Sequence, residues 1–383
     1  MGLSWLKTIA VRLEKKQDNI FTYPVEKQKA YIVHFPEPKD ELDRSYFQYC
    51  CQMKLYGAFY HGLLNLAALP CSLLLLLKYK KVHLEPEETK KCVFIRYDLP
   101  ENVVPHSLRE RYPEMYAVSK MENCLNKEDV DFLKGIFKRY PFSWLFWMKN
   151  IIKVSQFSAV MSRFSPEAII TCEEYSFTCS AITQYCHNHN VRRINVMHGE
   201  KLFYMRDSFG SFDEFYVWSQ EYEELFCQLR AAKDQFCIEV PPSLLFEKQD
   251  VGKSVDYTYY LQDQSGDKLV RIVNAMKHLA EKGNKVVFRP HPRYTPLEEL
   301  KQLCDGSGIE IEINREISIE ESVMRTENVI SVFSTVLQQA YYNHVSIVID
   351  DISNPEKIEK LRERGFVMLQ TPHQKLSELM EKI

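Results

Sequence analysis

The stretch KLVRIVNAMKHLAEKGNKVVFRPHP, residues 268–292, decides the fold. Its first part places Leu269, Ile272, Met276 and Leu279 three or four positions apart, the spacing of one face of an amphipathic helix. Gly283 supplies the stop, since glycine adopts the left-handed conformation that ends helices. Three apolar strand formers follow, Val286 to Phe288, and then a run of basic residues and prolines. Helix and strand therefore alternate within one short segment. Upstream, YTYYLQ from Tyr257 reads as a strand. Downstream, PLEELKQLCDGSG, IEIEI, SIEESVMRT, NVISVF, STVLQQAYYNH, SIVIDD and NPEKIEKLRERG continue the alternation, and FVML completes it. Short apolar strands separated by helices predict a doubly wound parallel sheet, buried on both faces.

The first half alternates less regularly. AYIVHF, CVFIRYDLP, EAIITC, RINVMHG and EFYVWS read as strands, with DVDFLKGIFKRY and SFTCSAITQYCHNHN as helices. The segment IEVPPSLLFEKQDVGKSVD lacks periodicity and contains Pro241-Pro242, which marks a linker. The expected organisation is a first Rossmann-like domain over 1–237, a linker over 238–256 and a second Rossmann-like domain over 257–383. Two domains also suit a chain of 383 residues. A net charge of −3 leaves no global field for nucleic acid, so anion binding must be local. The eleven cysteines show no framework spacing and read as reduced thiols of a cytoplasmic protein.

Leu55–Leu77, LYGAFYHGLLNLAALPCSLLLLL, is uncharged and long enough to span a bilayer. His61, Asn65 and Pro70 interrupt it, so the expectation is a buried or split helix pair. Peripheral contact with a membrane through 55–81 is the second reading, with Lys78, Lys80 and Lys81 facing anionic headgroups, and a true span is the third.

In open parallel sheets, ligands bind beyond the carboxyl ends of the strands. Two strand ends in the second half suit an oxyanion. Arg289, His291 and Arg293, spaced two apart, leave one strand together, with Pro292 among them. Ser334 and Thr335 stand at a strand-to-helix junction, where hydroxyls and free N–H groups favour phosphate. In the first half, Glu173-Glu174 follow a strand, and a carboxylate beside another can have a raised pKa that suits a base. His198, Gly199 and Glu200 leave the next strand, with Gly199 permitting a sharp turn. Asp129 and Asp131 form a DxD in the first turn of a helix, where acids favour the macrodipole, so no metal is assigned to them. The cluster Cys186 to His189 lacks a second ligand pair and reads as a helix end.

The HP pair (His291-Pro292) with Ser334-Thr335 in a C-terminal Rossmann-like domain resembles bacterial sialyltransferases of the GT-B type, polysialyltransferases included. The resemblance covers the architecture of the chain but only a few positions. It implies two Rossmann-like domains facing a cleft and an inverting, metal-independent transfer of sialic acid from CMP-sialic acid to a glycan hydroxyl in surface polysaccharide or lipooligosaccharide synthesis. Arg289, His291, Pro292, Arg293, Glu320, Ser334 and Thr335 would bind the donor. Glu174, or Glu173, would serve as general base, and His291 would assist the leaving phosphate. The family's acid pair ends in Gly where this chain has Tyr175, a departure that weakens the match. His198, Gly199 and Glu200 would line the acceptor side, and a similar strand-HG exit occurs in Kdo transferases and CDP-glycerol glycerophosphotransferases. The resemblance thus leaves Kdo, CDP-glycerol and UDP-sugars open as donors. A non-catalytic glycan-binding protein of the same fold is the reading from a different class. The expected partners are a nucleotide sugar and a glycan acceptor, with no cofactor and no nucleic acid, in the cytoplasm, with peripheral contact at the inner face of the membrane as the second reading.

Overall fold

The structure is a computed structural model that describes residues 21–95, 100–247 and 252–381. The chain divides into two compact units. The first comprises residues up to His198 together with Phe203–Val240, and the second comprises Gly199–Leu202 and Pro241–Ile383.

The first unit is built on a six-stranded sheet of order β2-β1-β3-β4-β5-β6, parallel throughout. Its strands are β1 (Cys92–Ile95), β2 (Tyr116–Val118), β3 (Ala168–Thr171), β4 (Arg192–Val196), β5 (Glu214–Val217) and β6 (Phe236–Ile238). Alternation along the strands supplies two cores. Val93 and Ile169 pack into one with Ile151, Val154 and Phe157, while Phe94, Ile170 and Val196 join Leu108 in another. Five helices matter below: α1 (Val25–Val33), α2 (Glu41–Tyr56), α3 (Ala58–Tyr79), α4 (Lys127–Arg139) and α5 (Trp144–Phe164). A sixth, α6 (Cys179–Asn188), ends at the Cys186–His189 cluster, as its sequence suggests.

Three expectations change. AYIVHF lies largely in α1 rather than in a strand, because Val25, Gln28 and Ile32 are buried at helical spacing. CVFIRYDLP is a strand only as far as Ile95, and residues 96–99 lie outside the described residues. The helix α3 is neither buried nor split within its apolar run. It continues through Pro70 for 22 residues, and only Ala68 and Ser72 are fully buried. The 55–77 run is instead divided near its start, at Gly57, whose φ of 83° ends α2. Asp129, by contrast, sits where the sequence puts it. It caps the first turn of α4 in a capping box with Asn126 and accepts hydrogen bonds from Ser158 and Tyr185.

The second unit carries the expected doubly wound sheet, of order β12-β11-β10-β7-β8-β9 and parallel throughout. Its strands are β7 (Val255–Tyr260), β8 (Val286–Arg289), β9 (Glu310–Ile311), β10 (Thr326–Ser331), β11 (Ser346–Ile349) and β12 (Gln374–Lys375). The opening stretch forms α7 (Asp267–Glu281) and β8, and Leu269, Ile272, Met276 and Leu279 are buried against Tyr259, Phe288, Ile330 and Val348. Three further helices are α8 (Ile319–Met324), α9 (Thr335–Tyr342) and α10 (Pro355–Glu363). FVML forms a short 3-10 turn, Val367–Leu369. The segment 238–256 contains the last residue of β6, a 3-10 turn at Pro242–Leu244 and the start of β7, with 248–251 outside the described residues.

Candidate functional site

In each sheet the chain reverses its direction of winding once, between β1 and β3 in the first unit and between β7 and β10 in the second. Loops diverge at such a reversal and leave a crevice at the carboxyl ends of the strands. Both crevices hold polar groups.

In the first unit, a cavity of about 340 Å³ is lined by Ile95, Lys153, Gln156, Glu173, Tyr175 and His198, among others. Glu173 and Glu174 follow β3 directly but face different partners. Glu173 is an ion-pair residue: Lys153 of α5 contacts one oxygen, and Nη2 of the fully buried Arg193 lies 3.2 Å from the other. Burial opposes its ionisation, but the two cations outweigh burial and hold its pKa below the usual carboxylate range. Glu174 is 1% exposed, accepts a 3.0 Å hydrogen bond from Asn195 Nδ2, and has Oε1 3.4 Å from His198 Nδ1. Asn195 ties the pair together, because its Oδ1 also accepts from the Glu173 backbone N–H at 2.8 Å. Gln48 and Gln52 of α2 fix the same loop by donating to the carbonyls of Glu174 and Tyr175.

Glu174 and His198 differ in their access to that cavity. Glu174 is too buried to meet a substrate, whereas His198 is 29% exposed and lines the cavity. A carboxylate beside Nδ1 favours a proton there and leaves Nε2 able to accept one. Gly199 adopts a φ of 68°, a conformation unfavourable to other residues, and turns the chain immediately after His198. Glu200 belongs with the second unit and accepts from Gln338 of α9 at 2.7 Å.

In the second unit, a cavity of about 320 Å³ lies at the reversal, lined by Gln264, Ser265, Lys268, Val332, Asn354 and Lys357 among others. Asp350, fully buried after β11, accepts from the backbone N–H groups of Ile352 and Ser353 and shapes this loop. Lys357 is half-buried with its Nζ 5.6 Å from the centre of the Phe333 ring, and burial lowers its pKa. Asp263 and Asp267 line the same crevice, and Asp263 opposes that shift, so Lys357 and Lys268 face carboxylates as well as open space. Nothing in NPEKIEKLRERG distinguishes Lys357 from a solvated helical lysine, so the sequence carries no signal for it.

The basic strand end separates into different roles. Arg289 is 7% exposed and is not available to a donor phosphate. Its Nη1 pairs with Glu312 at 2.8 Å and its Nη2 donates to the Ile317 carbonyl at 3.0 Å. Alternation explains this: Arg289 still belongs to β8 and its side chain turns into the unit. His291 lies beyond the strand in a turn. Its backbone N–H donates to Thr295 Oγ1 at 2.8 Å, and its Nδ1 accepts from the Arg293 N–H at 3.1 Å. The ring stacks on Tyr294 at 4.5 Å, leaving Nε2 as the nitrogen not used by the turn. Pro292 and Arg293 are exposed. Ser334 is the N-cap of α9 and accepts from the Val336 N–H at 3.3 Å, Thr335 begins that helix, and Glu320 lies half-buried in the first turn of α8. Because β7 separates β8 from β10, the HP turn and the Ser334 cap leave the sheet roughly 10 Å apart, two strand spacings.

The chain matches no protein-family model and no curated protein sequence. Solved structures to which the chain is similar include the wall teichoic acid polymerase TagF, aligned over 84% of this chain and 89% of its own at 11% identity and a TM-score of 0.43. UDP-GlcNAc 2-epimerase from Neisseria meningitidis, bound to UDP-GlcNAc, aligns over 71% of this chain and 85% of its own at 10% identity and a TM-score of 0.43. UDP-N-acetylglucosamine 2-epimerase from Rickettsia bellii aligns over 71% and 82% at 13% identity and a TM-score of 0.42.

Proposed function

We propose that the chain is a glycosyltransferase of the GT-B type, moving a sugar from a nucleotide-activated donor to a glycan hydroxyl. The observation behind this reading is the Glu174–His198 pair, set with Asn195 at the reversal of the first sheet, with His198 opening on a cavity of mixed polar and apolar lining. His198 Nε2 takes the proton of the acceptor hydroxyl as the acceptor oxygen bonds to the anomeric carbon. Glu174 stabilises the resulting imidazolium through Nδ1–H. The bond from the anomeric carbon to phosphate breaks, and the nucleotide leaves with its electron pair. In the second unit, Lys357, Lys268 and His291 supply positive charge or hydrogen bonds for that phosphate. These are the groups its crevice and its HP turn present.

The donor proposed first is CMP-sialic acid, on the HP and Ser-Thr resemblance. CMP-Kdo and UDP-sugars would be displaced at the anomeric carbon in the same way, whereas with CDP-glycerol the acceptor oxygen would bond to the phosphorus that carries glycerol and the pyrophosphate bond would break, releasing CMP. The scheme uses no metal, and transfer in EDTA is expected. The test incubates the protein with each donor and a glycan acceptor and measures nucleotide release, for the native chain and for His198→Ala. Release from CMP-sialic acid that vanishes in the variant supports the reading. Release from another donor replaces the sugar and keeps the site. No release from any donor, with no nucleotide raising the melting temperature, would refute the proposal.

A further inference from the structure

The helix α3 has its polarity reversed for a protein in water. The side chains it turns toward its own unit include the polar ones. His61 Nε2 lies 2.7 Å from the Tyr49 hydroxyl, Asn65 donates to the Phe142 carbonyl at 2.7 Å and accepts from the Leu145 N–H at 3.0 Å, and Ser72 donates to the Ala68 carbonyl. Leu64, Leu75, Leu76 and Tyr79 pack beside them against the core that α5 shares. The outward face is apolar along its whole length. Phe59 is 73% exposed, Leu66 62%, Leu74 68% and Leu77 61%, with Leu63 and Leu73 between them. Phe142, 80% exposed beside Asn65, widens the patch. Scattered exposed leucines are ordinary, but a continuous stripe on one helix marks an interaction surface.

The charges around the stripe indicate what covers it. No Asp or Glu occurs between Asp43 and Glu85, while Lys78, Lys80 and Lys81 follow at the carboxyl end of the helix, all exposed. A second copy of this chain would bring the same lysines and no carboxylate from this region. A bilayer with anionic headgroups satisfies both the apolar stripe and the lysines. A transmembrane span is disfavoured, because His61 and Asn65 are bonded to residues of the first unit and one side of the helix is packed. We propose that α3 lies flat in the interface of an anionic bilayer, with Phe59, Leu63, Leu66, Leu73, Leu74 and Leu77 among the acyl chains and Lys78, Lys80 and Lys81 on the phosphates.

The chain carries its own reporter. Cys71 is the exposed cysteine among the described residues and stands on the outward face of α3. The experiment follows Cys71 labelling by a water-soluble maleimide, with Cys71→Ser as the background, alongside vesicle co-sedimentation. Vesicles of phosphatidylcholine alone are compared with vesicles containing phosphatidylglycerol. Anionic vesicles are expected to slow labelling and to bring the protein down. Leu66→Glu with Leu74→Glu should abolish both effects, and circular dichroism should show the fold retained because both positions are exposed. Reversing Lys78, Lys80 and Lys81 to Glu should weaken binding by at least roughly 100-fold, from about 1 kcal/mol per lysine at an anionic surface. Unchanged labelling with both vesicle types would overturn the proposal. Protection without vesicles that grows with protein concentration, and is lost in the double leucine variant, would overturn it in favour of a second copy. Neither result touches the proposed transfer reaction, which is measured separately.

Discussion

Replacing Arg289 by Met is expected to destabilise the second unit and to leave nucleotide binding intact. Arg289 and Glu312 are 7% and 1% exposed, so neither charge is solvated. Glu312 Oε2 accepts from Arg289 Nη1 at 2.8 Å and from Ser322 at 2.6 Å, and Oε1 accepts from Arg325 Nη2 at 2.8 Å. Methionine removes one of the two cations and leaves the carboxylate buried. Breaking such a pair costs about 3–5 kcal/mol, and the remaining Arg325 places this case at the lower end, about 3 kcal/mol. For a unit of this size that corresponds to a fall in melting temperature of roughly 10 °C, or a urea midpoint lowered by about 1–3 M. The assay is urea unfolding of the second unit within the full chain, together with calorimetric titration of the nucleotide that binds. Arg289→Met with Glu312→Met should recover part of the loss, since replacing both partners leaves fewer unpaired buried charges. Unchanged stability combined with lost nucleotide affinity would refute this reasoning and return Arg289 to the proposed donor-binding residues.

The remaining expectations concern the two crevices. His198→Ala should lower kcat by about 10²–10⁴ while leaving nucleotide affinity unchanged, and a parallel loss in both would point to a structural role. Glu174→Gln should also lower kcat and shift the acid limb of its pH profile, because it changes the group that faces His198 Nδ1; an unmoved profile would exclude that coupling. The stability that Glu173 contributes is expected to depend on pH with a definite sign. Its folded pKa lies below the ordinary carboxylate value of about 4.3, so the contribution is complete above that value and is lost as pH falls through the folded pKa. The stability gap between the native chain and Glu173→Gln should therefore be constant from pH 5 to 8 by this linkage and shrink in acid below pH about 4; a gap that widens in acid would contradict it. Lys357→Met should weaken nucleotide binding without loss of melting temperature, and unchanged affinity would remove it from the proposed phosphate site.

The sequence exposes much of this architecture because periodicity reports burial directly. The second unit was legible nearly throughout: Leu269, Ile272, Met276 and Leu279 can lie together only on a helix, and the apolar runs of β10 and β11 fit only strands covered on both faces. AYIVHF misled because a short apolar run has no decisive period, and only contacts distant in sequence, such as Gln28 to Met205, select the helix. The apolar run at 58–79 misled in another way. Hydrophobicity alone predicts burial, and it is the bonding of His61 and Asn65 that shows which face is turned inward. The candidate site residues were legible by type more than by surroundings. HP, Ser-Thr, Glu-Glu and HG all stand at strand ends, but Arg289 looks like an anion ligand until Glu312, distant in sequence, is seen to pair with it.

Glu173 and Glu174 make the same point at the closest range. They are identical, adjacent and equally ionisable in the chain. One stands against Lys153 and Arg193, and those cations stabilise its charge so that its proton is held weakly. A group so compensated is a poor proton carrier near neutral pH. The other stands away from solvent beside an imidazole, held by Asn195, where its charge favours a proton on the far partner rather than on itself. Asn195 contacts both residues, so exchanging it for Asp should disturb both at once. A third carboxylate would replace the amide that donates to Glu174, and one donor would be lost where two like charges meet. Asn195→Asp is therefore expected to reduce turnover and stability together, whereas His198→Ala reduces turnover alone. If Asn195→Asp retained full turnover, Asn195 would have no part in positioning the pair.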